Sequence, residues 1–372
     1  MSTGNKRGTF SDTSAQDVLG MVLLVGIVAL ALDLVRRVIL GDLTASYLLS
    51  LVWNGVVDSL YIGLAAIGLS MTYSILRFAN FSHGDLVTAG AFSGWTVAYL
   101  IGGIGTADLG SRLLLDADGG ARAGALGMDI VASPLAIVIG LLAAAAGTIL
   151  IALAIDRLVY KRMRGEGGIP LLIASVGVAL ALRYIIAIIY TQDSRGIVAA
   201  APFVGPWELP FLPFEIGQIN LHEATLVISA IVLIVGVHVL LQYTKLGKSM
   251  RAMSDNRDLA LVTGIPTERV ITATWAIGGG LAGVAGYLIV LDQSQITINL
   301  GWFLLLLIFA AVILGGIGSI YGALAGSLVI GITINLSLVW IPSDLNQVAA
   351  FVIMILVLVF KPDGLFGGVE TA

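Results

Sequence analysis

The sequence predicts an all-α membrane protein, a polytopic helical bundle of about ten transmembrane segments. Of its 372 residues, 58% are hydrophobic and only 11% are charged, whereas a soluble domain carries about 25% charged residues. The mean hydropathy of +1.02 agrees with a lipid environment. Apolar stretches near the spanning length of about 20 residues lie at 21–40, 54–76, 84–104, 134–155, 169–190, 224–243, 270–291, 302–341 and 347–360.

The stretch 302–341 is long enough for two spans, and we expect it to break in the glycine-rich sequence Leu314–Gly322. Small residues four apart let helix backbones approach closely in lipid. We therefore assign one set of glycines to helix packing and a tight turn, in preference to lining a solute path. They are Gly279, Gly283, Gly315, Gly316, Gly318, Gly322 and Gly326.

The composition excludes several classes of function. The chain has no cysteine, so disulfides, thiolate metal sites and cysteine nucleophiles are excluded. His83, His222 and His238 lie too far apart in sequence for a paired metal-ligand motif. The net charge of −4 and the lack of a basic aromatic patch argue against nucleic acid. No phosphate-binding GxxxxGK(S/T) motif occurs, and we expect no catalytic site, metal site or cofactor.

The basic residues predict how the chain is oriented. If the spans alternate, these residues cluster on one side, and the positive-inside rule places that side in the cytoplasm. We expect a single transmembrane domain with two notable loops, one on each side, and both chain termini in the cytoplasm. The segments are an N-terminal tail (1–20), the domain (21–361), an extracytoplasmic loop (191–223), a cytoplasmic loop (244–270) and a C-terminal tail (362–372).

Charged residues near the ends of apolar runs have simple explanations. Arg36 and Arg37 lie at the outer end of the first span, and we expect their side chains to reach the lipid headgroups. Asp58, Arg183 and Asp292 also lie near span ends, where a wet interface accounts for a charge.

The predicted outer loops are acidic, and one contains Asp108, Asp116 and Asp118. The loop 191–223 is rich in proline and aromatic residues. This composition predicts an ordered loop or an interfacial hairpin with Trp207 at headgroup level.

The cytoplasmic loop contains the sequence SDNRDLALVTGI, which predicts a short helix. Ser254 or Asp255 can cap its start, and Gly264 can end it. Two explanations remain open for this helix. It is either an interfacial helix lying on lipid or a docking element for a cytoplasmic partner.

The sequence RFANFSHGD (Arg77–Asp85) interrupts two apolar runs with hydrogen-bonding side chains. One explanation is a polar turn at the cytoplasmic surface, capped by asparagine or serine, with the arginine at headgroup level. The other is a broken helix beside a translocation path, because non-helical backbone inside a membrane must be covered by protein or line a cavity. The candidates for such a path are Asn80, Phe81, Ser82, His83 and Asp85.

Four motifs, in order, resemble the permease family of branched-chain (hydrophobic) amino acid importers of the ATP-binding-cassette (ABC) class. The resemblance covers about residues 50–368. The N-terminal motif ends in RFANFSHGD, and the loop motif is LGKSMRA…DNRDLALVTGIPTERV followed by TWAIGGGLAGVAGYL. The C-terminal motifs are AAVILGGIGSIYGALAGSLVIGI and KPDGLFG.

The resemblance implies a non-catalytic permease subunit in a prokaryotic plasma membrane, similar in fold to type II ABC importer permeases. Its expected partners are a second, related permease, two cytoplasmic ATPases and an extracytoplasmic binding protein. The expected solute is a branched-chain or other hydrophobic amino acid. The alternatives are urea or a short amide as the solute, or a stand-alone secondary transporter or channel. The short helix corresponds to the ATPase-coupling helix, with Arg251, Asp255, Asn256, Arg257, Leu259, Ala260 and Gly264 as its expected coupling residues.

Overall fold

A computed structural model describes residues 15–104, 109–115, 128–205 and 218–366. Within these ranges the chain is mainly helical, with four strands of two residues each. Most of the predicted N-terminal tail lies outside the described residues, as do Asp108, Asp116, Asp118 and Trp207.

The helices follow the predicted apolar stretches, and a π-helical segment (Asp156–Tyr160) joins α5 to α6. The helices are α1 (Ala15–Leu40), α2 (Ala45–Leu76), α3 (Ser82–Gly102), α4 (Leu109–Leu113), α5 (Pro134–Ile155), α6 (Lys161–Met163), α7 (Gly168–Tyr190), α8 (Leu221–Tyr243), α9 (Lys245–Asp255), α10 (Arg257–Val262), α11 (Thr267–Gln293), α12 (Leu300–Gly315), α13 (Ile320–Leu336) and α14 (Asn346–Phe360). The strands are β1 (Arg195–Gly196), β2 (Phe203–Val204), β3 (Ile219–Asn220) and β4 (Gln295–Ile296).

Seven helices in the described part of the chain are long and apolar enough to cross a membrane. They are α2, α5 with α6, α7, α8, α11, α13 and α14, some of them extended by a flanking turn. Helices α1, α3 and α12 occupy the other three predicted stretches but are not among the seven. With 16 residues, α12 rises about 24 Å, which is less than the roughly 30 Å of a hydrocarbon core.

Helices α2 and α11 form the centre of the bundle. In their most apolar stretches, 83% and 89% of residues are buried, against 6% for the last helix. Helix α3 packs on α11, α5 and α7, while α12 and α13 pack against α2. The outward faces of α7 and α8 carry exposed aliphatic side chains such as Ile188 and Val232, as expected for surfaces in contact with lipid.

Glycines bring the backbones of several helices into direct contact. A Cβ atom at Gly326 would lie 2.0 Å from the carbonyl oxygen of Ala311, and one at Gly315 would lie 1.9 Å from that of Gly322. On α11, a Cβ at Gly279 or Gly283 would collide with α5. Gly316 and Gly318 instead form the turn between α12 and α13, with φ values of 107° and 88°, which only glycine adopts readily.

Two arginines near the C-terminal end of α1 share one carboxylate. Arg36 and Arg37 approach Asp33 at 2.8 and 2.7 Å, and the indole of Trp340 donates to the same carboxylate at 3.0 Å. The side chains of Arg36 and Arg37 were expected to reach the lipid headgroups, but their immediate partner is this aspartate.

Short strands order the loop between α7 and α8. Strand β1 pairs with β4, with Arg195 opposite Ile296. Strand β2 pairs with β3, with Phe203 opposite Asn220. The first pair ties this loop to the end of α11, and the second brings residues 203–204 beside residues 219–220.

The substitution Gly326→Ala should destabilise the bundle by about 1–3 kcal/mol, because its methyl group would overlap the α12 backbone. Thermal unfolding of the purified chain in detergent measures this loss. The matched control is Gly177→Ala, since a Cβ at Gly177 meets nothing within 4 Å. The control should be neutral or gain up to about 1 kcal/mol of helix propensity. Equal unfolding temperatures for both variants would contradict the packing role.

Candidate functional site

The candidate site is the break between α2 and α3. Helix α2 ends at Leu76, and Arg77 follows in the left-handed conformation with φ of 57°. Its backbone N–H donates to the carbonyl oxygen of Tyr73 at 2.8 Å. The chain then runs without helical structure until α3 begins at Ser82.

This break lies inside the bundle. The ring nitrogen Nε2 of His83 lies 2.8 Å from the carbonyl oxygen of Ala65. Ala65 comes eleven residues before the end of α2 at Leu76, which is about 16 Å along the helix. The side chains of Asn80, Ser82, His83 and Asp85 are all buried. The segment after Arg77 therefore turns back into the protein, unlike a turn at the surface.

Side chains from other elements satisfy the polar groups of the break. The Oδ1 atom of Asn80 accepts hydrogen bonds from the backbone N–H of Ser82 at 3.1 Å and from its hydroxyl at 2.7 Å. The hydroxyl of Tyr160 lies 2.9 Å from that of Ser82. The N–H of Phe81 donates to the hydroxyl of Ser175 on α7 at 3.0 Å. The freed backbone thus has protein partners, as a buried segment requires.

The first turns of α3 and α12 meet at two glycines. A Cβ atom at Gly301 would lie 1.8 Å from the carbonyl oxygen of Gly84, so the two backbones touch. The N–H of Gly301 donates to the hydroxyl of Thr88 at 2.9 Å. The ring of Phe81, just before α3, lies 5.1 Å from that of Phe309 on α12.

A buried ion pair ties this junction to α7. Nε of Arg183 lies 3.0 Å from Oδ1 of Asp85, and Nη2 lies 3.0 Å from Oδ2. The guanidinium carbon lies 4.5 Å from the ring centroid of Trp302, in the first turn of α12. The Arg183 side chain is only 12% exposed. The wet interface expected for Arg183 is therefore wrong, because a carboxylate and an indole hold it inside the protein.

Asp58 also differs from the expectation of a wet span end. It lies in the middle of α2, where it accepts hydrogen bonds from the hydroxyl of Tyr61 at 2.7 Å and the amide of Asn335 at 2.6 Å. It therefore joins α2 to α13 through side-chain contacts.

The loop 244–270 forms two helices, α9 and α10, where a single short helix was predicted. Asn256 caps α10, accepting from the N–H of Leu259 at 3.0 Å, so the predicted cap at Ser254 or Asp255 is wrong. Asp255 instead ends α9. The loop leaves α10 through Gly264, whose φ is 84°.

Apolar side chains project from α10 away from the bundle. Leu259 and Leu261 are each 60% exposed and Val262 is 84% exposed, whereas Ala260 is buried. Arg257 is exposed. Arg251 donates to the carbonyl oxygen of Leu241 at 2.6 Å, so it holds α9 against the end of α8.

Two contacts join this loop to the break. A guanidinium nitrogen of Arg77 donates to the carbonyl oxygen of Ser254, near the end of α9. Downstream of α10, Glu268 lies 2.5 Å from Arg164. Arg164 forms a second ion pair at 2.7 Å with Asp156, at the start of the π-helical segment that ends at Tyr160.

Comparison with known proteins identifies the family. The sequence profile of the family described as branched-chain amino acid transport system / permease component matches residues 51–358. The chain belongs to this permease family. It is a permease subunit of an ABC importer, and it is not itself catalytic because the ATPase is a separate subunit.

Relatives of this permease cover nearly the whole chain. It is 29% identical over 326 residues to the high-affinity branched-chain amino acid transport system permease protein LivH of Salmonella typhimurium, covering 87% of this chain and 97% of LivH. It is 28% identical over 326 residues to BraD of Pseudomonas aeruginosa, with the same coverage. It is 29% identical over 340 residues to a probable LivH of Methanocaldococcus jannaschii, covering 89% and 95%. No solved structure gave a significant match.

Sequence reasoning missed the residues that hold the break of this permease. Tyr160 and Ser175 contribute single hydroxyl groups from distant segments, and no motif marks them. Arg183, which lies over the ring of Trp302, gave a clearer signal, because a lone arginine within an apolar run needs a buried partner. Asp58, Asp85 and Asp292 were all acids in other spans, so the sequence did not show which of them was the partner.

Breaking the ion pair should destabilise the permease strongly. Asp85→Asn leaves Arg183 buried without its counter-charge, which typically costs about 3–5 kcal/mol. The double variant Asp85→Asn/Arg183→Gln should lose less than the sum of the two single variants, because neither charge is left alone. Thermal unfolding in detergent measures this cycle.

The exposed pair at α1 provides the control for this cycle. The Arg36 side chain is 63% exposed, so Arg36→Gln should change stability by no more than about 1 kcal/mol. Strictly additive losses at Asp85 and Arg183 would contradict the pairing.

Proposed function

We propose that this permease forms the translocation path for branched-chain or other hydrophobic amino acids, which an extracytoplasmic binding protein delivers. It acts with a second, related permease chain and two cytoplasmic ATPases. The match to the permease family over residues 51–358 carries the proposal. The names of LivH and BraD support the choice of solute.

The proposed topology has about ten membrane-spanning segments in a type II importer arrangement. Helices α1, α3 and α12 join the seven long apolar helices as crossing or partly crossing elements. The contacts from Arg77 to Ser254 and from Arg164 to Glu268 put the ends of α2, α6, α9 and α10 on one face of the bundle. We call it the basic face, since it also carries Lys161, Lys245 and Arg257. By the positive-inside rule it is cytoplasmic, and both chain termini belong to it.

Helix α10 is the proposed coupling helix. Three exposed apolar side chains on a short helix among basic residues suit a groove on a protein partner. On a membrane span, exposed apolar side chains would simply face lipid, but α10 is far too short to span a membrane. Among the expected coupling residues, Asn256 caps this helix, Leu259 projects from its exposed face and Gly264 follows its end. Asp255 and Arg251 belong to α9, the helix that precedes α10 in the chain.

The break at the start of α3 is proposed to adjoin the translocation path. Polar side chains and non-helical backbone at membrane depth mark solute pathways in transporters. Asn80, Phe81, Ser82, His83 and Asp85 are the residues concerned. The support is the burial of Asn80, Ser82, His83 and Asp85, together with the contact of Arg77 to the loop that carries α10.

Reconstituted uptake tests the function. Proteoliposomes that contain both permeases, the ATPases and the binding protein should accumulate labelled leucine only when ATP and the binding protein are present. A variant ATPase that cannot hydrolyse ATP is the control. Uptake of leucine by this chain alone, driven by an ion gradient, would contradict the proposal. Transport of urea with no transport of leucine would contradict the solute.

The double variant Leu259→Asp/Val262→Asp tests α10. Burying an aspartate in an apolar groove is unfavourable, so binding of the ATPase should weaken by about tenfold or more, where each tenfold corresponds to about 1.4 kcal/mol. Co-purification of the ATPase and uptake of leucine measure the loss. The permease itself should fold normally, since both side chains are exposed.

Asp258→Asn is the matched control, because it changes an exposed residue of the same helix without adding charge to its apolar face. It should retain both activities. Full ATPase binding by the double variant would contradict the docking role and favour a helix that lies on lipid.

A further inference from the structure

Two stacked pairs of tryptophan and tyrosine lie in the interior and differ in one respect. Trp95 stacks on Tyr287 with ring centroids 4.4 Å apart, and Trp275 stacks on Tyr160 with centroids 5.1 Å apart. All four side chains are at most 1% exposed. The two pairs are thus alike in burial and geometry.

The polar atoms of the first pair all have protein partners. Nε1 of Trp95 donates to the carbonyl oxygen of Tyr287 at 3.2 Å. The hydroxyl of Tyr287 donates to the carbonyl oxygen of Ile137 at 2.9 Å. This pair is a dry, fully satisfied contact between α3, α5 and α11.

The second pair differs, because Nε1 of Trp275 has no hydrogen-bond partner among the described residues. Nδ2 of Asn80 is likewise buried and without a partner in that part of the chain. The orientation of the Asn80 amide is fixed by the N–H of Ser82, which can only donate and therefore faces Oδ1. Both unpartnered groups are donors beside Tyr160, whose hydroxyl lies 3.3 Å from Oδ1 of Asn80.

We propose that Asn80, Trp275 and Tyr160 bind an internal water molecule at the break between α2 and α3. A bound water typically makes about three hydrogen bonds to buried polar groups that would otherwise lack a partner. Its oxygen accepts from Nδ2 of Asn80 and Nε1 of Trp275. Its hydrogens are donated to the hydroxyl oxygens of Tyr160 and Ser82, which lie 2.9 Å apart.

The chemistry of the site favours water over an ion. Two N–H donors repel a cation. An anion would need a counter-charge, and within the described part of the chain none of the hydrogen bonds around Asn80, Ser82 or Tyr160 comes from a basic side chain. Leaving two buried donors without hydrogen-bond partners is unfavourable, so a neutral acceptor is the remaining class.

A water molecule at this position would give the break a hydrogen-bond partner that can reorient. Protein donors must move to exchange hydrogen bonds, whereas a water rotates in place. The non-helical segment could then alter its shape while Asn80 and Trp275 stay satisfied. This inference concerns the hydration of the chain itself, and it holds whichever solute the permease carries.

X-ray hydroxyl-radical labelling of the assembled importer in nanodiscs tests the site, because radicals form at bound water and oxidise neighbouring side chains. The probe is water, supplied as 18O-water to trace the inserted oxygen. Trp275 and Tyr160 should be oxidised several-fold faster than the equally buried Trp95 and Tyr287. Equal, slow oxidation of both pairs would overturn the proposal. So would labelling that a membrane-impermeant radical scavenger suppresses, since that identifies bulk solvent.

Two matched variants sharpen the measurement. Trp275→Phe keeps the stacking and removes the donor, so labelling of Tyr160 should fall several-fold. Trp95→Phe removes a satisfied donor and should leave the labelling of Tyr160 unchanged. An equal effect of the two variants would contradict a water bound at Nε1 of Trp275. The comparison within the wild-type protein stands even if a variant fails to assemble.

Discussion

The arrangement of this permease depends on one constraint: a chain that leaves its helix and turns back into a packed bundle must give its freed polar groups partners within the protein. The segment between Arg77 and Ser82 meets this constraint with hydroxyl groups from two other parts of the chain. Ser175 on α7 takes the N–H of Phe81, and Tyr160 meets the Ser82 hydroxyl. Because these partners are distant in sequence, the polar groups of the break are satisfied only where α7 and the π-helical segment pack beside it. The break and the bundle around it therefore specify each other.

The same elements extend to the basic face. The π-helical segment has Asp156 at one end, in an ion pair with Arg164, and Tyr160 at the other, against the break. Such segments occur frequently at functional sites. Arg164 reaches Glu268, only a few residues beyond α10. On the upstream side of α10, Arg77 holds the end of α9. A displacement of α10 would therefore alter contacts on two sides of the break. It would transmit a conformational change to the break if α10 has two stable positions.

Sequence patterns predicted the features that are local. Apolar runs located the long helices, and the glycine-rich sequence located the turn at Gly316 and Gly318, where positive φ angles require glycine. Hydropathy has no information on depth, so it left open whether the polar break lay at the surface or inside. The pairing of Asp85 with Arg183 joins residues 98 positions apart, which one sequence cannot reveal. The division of the loop 244–270 at Asn256 was missed because Ser254, Asp255 and Asn256 are all good caps, and only packing selects among them.

Exposed apolar side chains have different explanations on different helices of this protein. On α7 and α8 they face the surroundings of a membrane bundle, where lipid is as apolar as the side chains and no protein partner is needed. On α10 the same exposure has another meaning, because its six residues cannot span a bilayer and its neighbours are charged. In water, exposing Leu259, Leu261 and Val262 is unfavourable, and the capping by Asn256 and Gly264 fixes them outward. The helix therefore needs a surface that covers it. On the basic face that surface is either headgroup lipid or a protein groove, and the contacts that tie both ends of this loop to the core of the permease support the proposed groove.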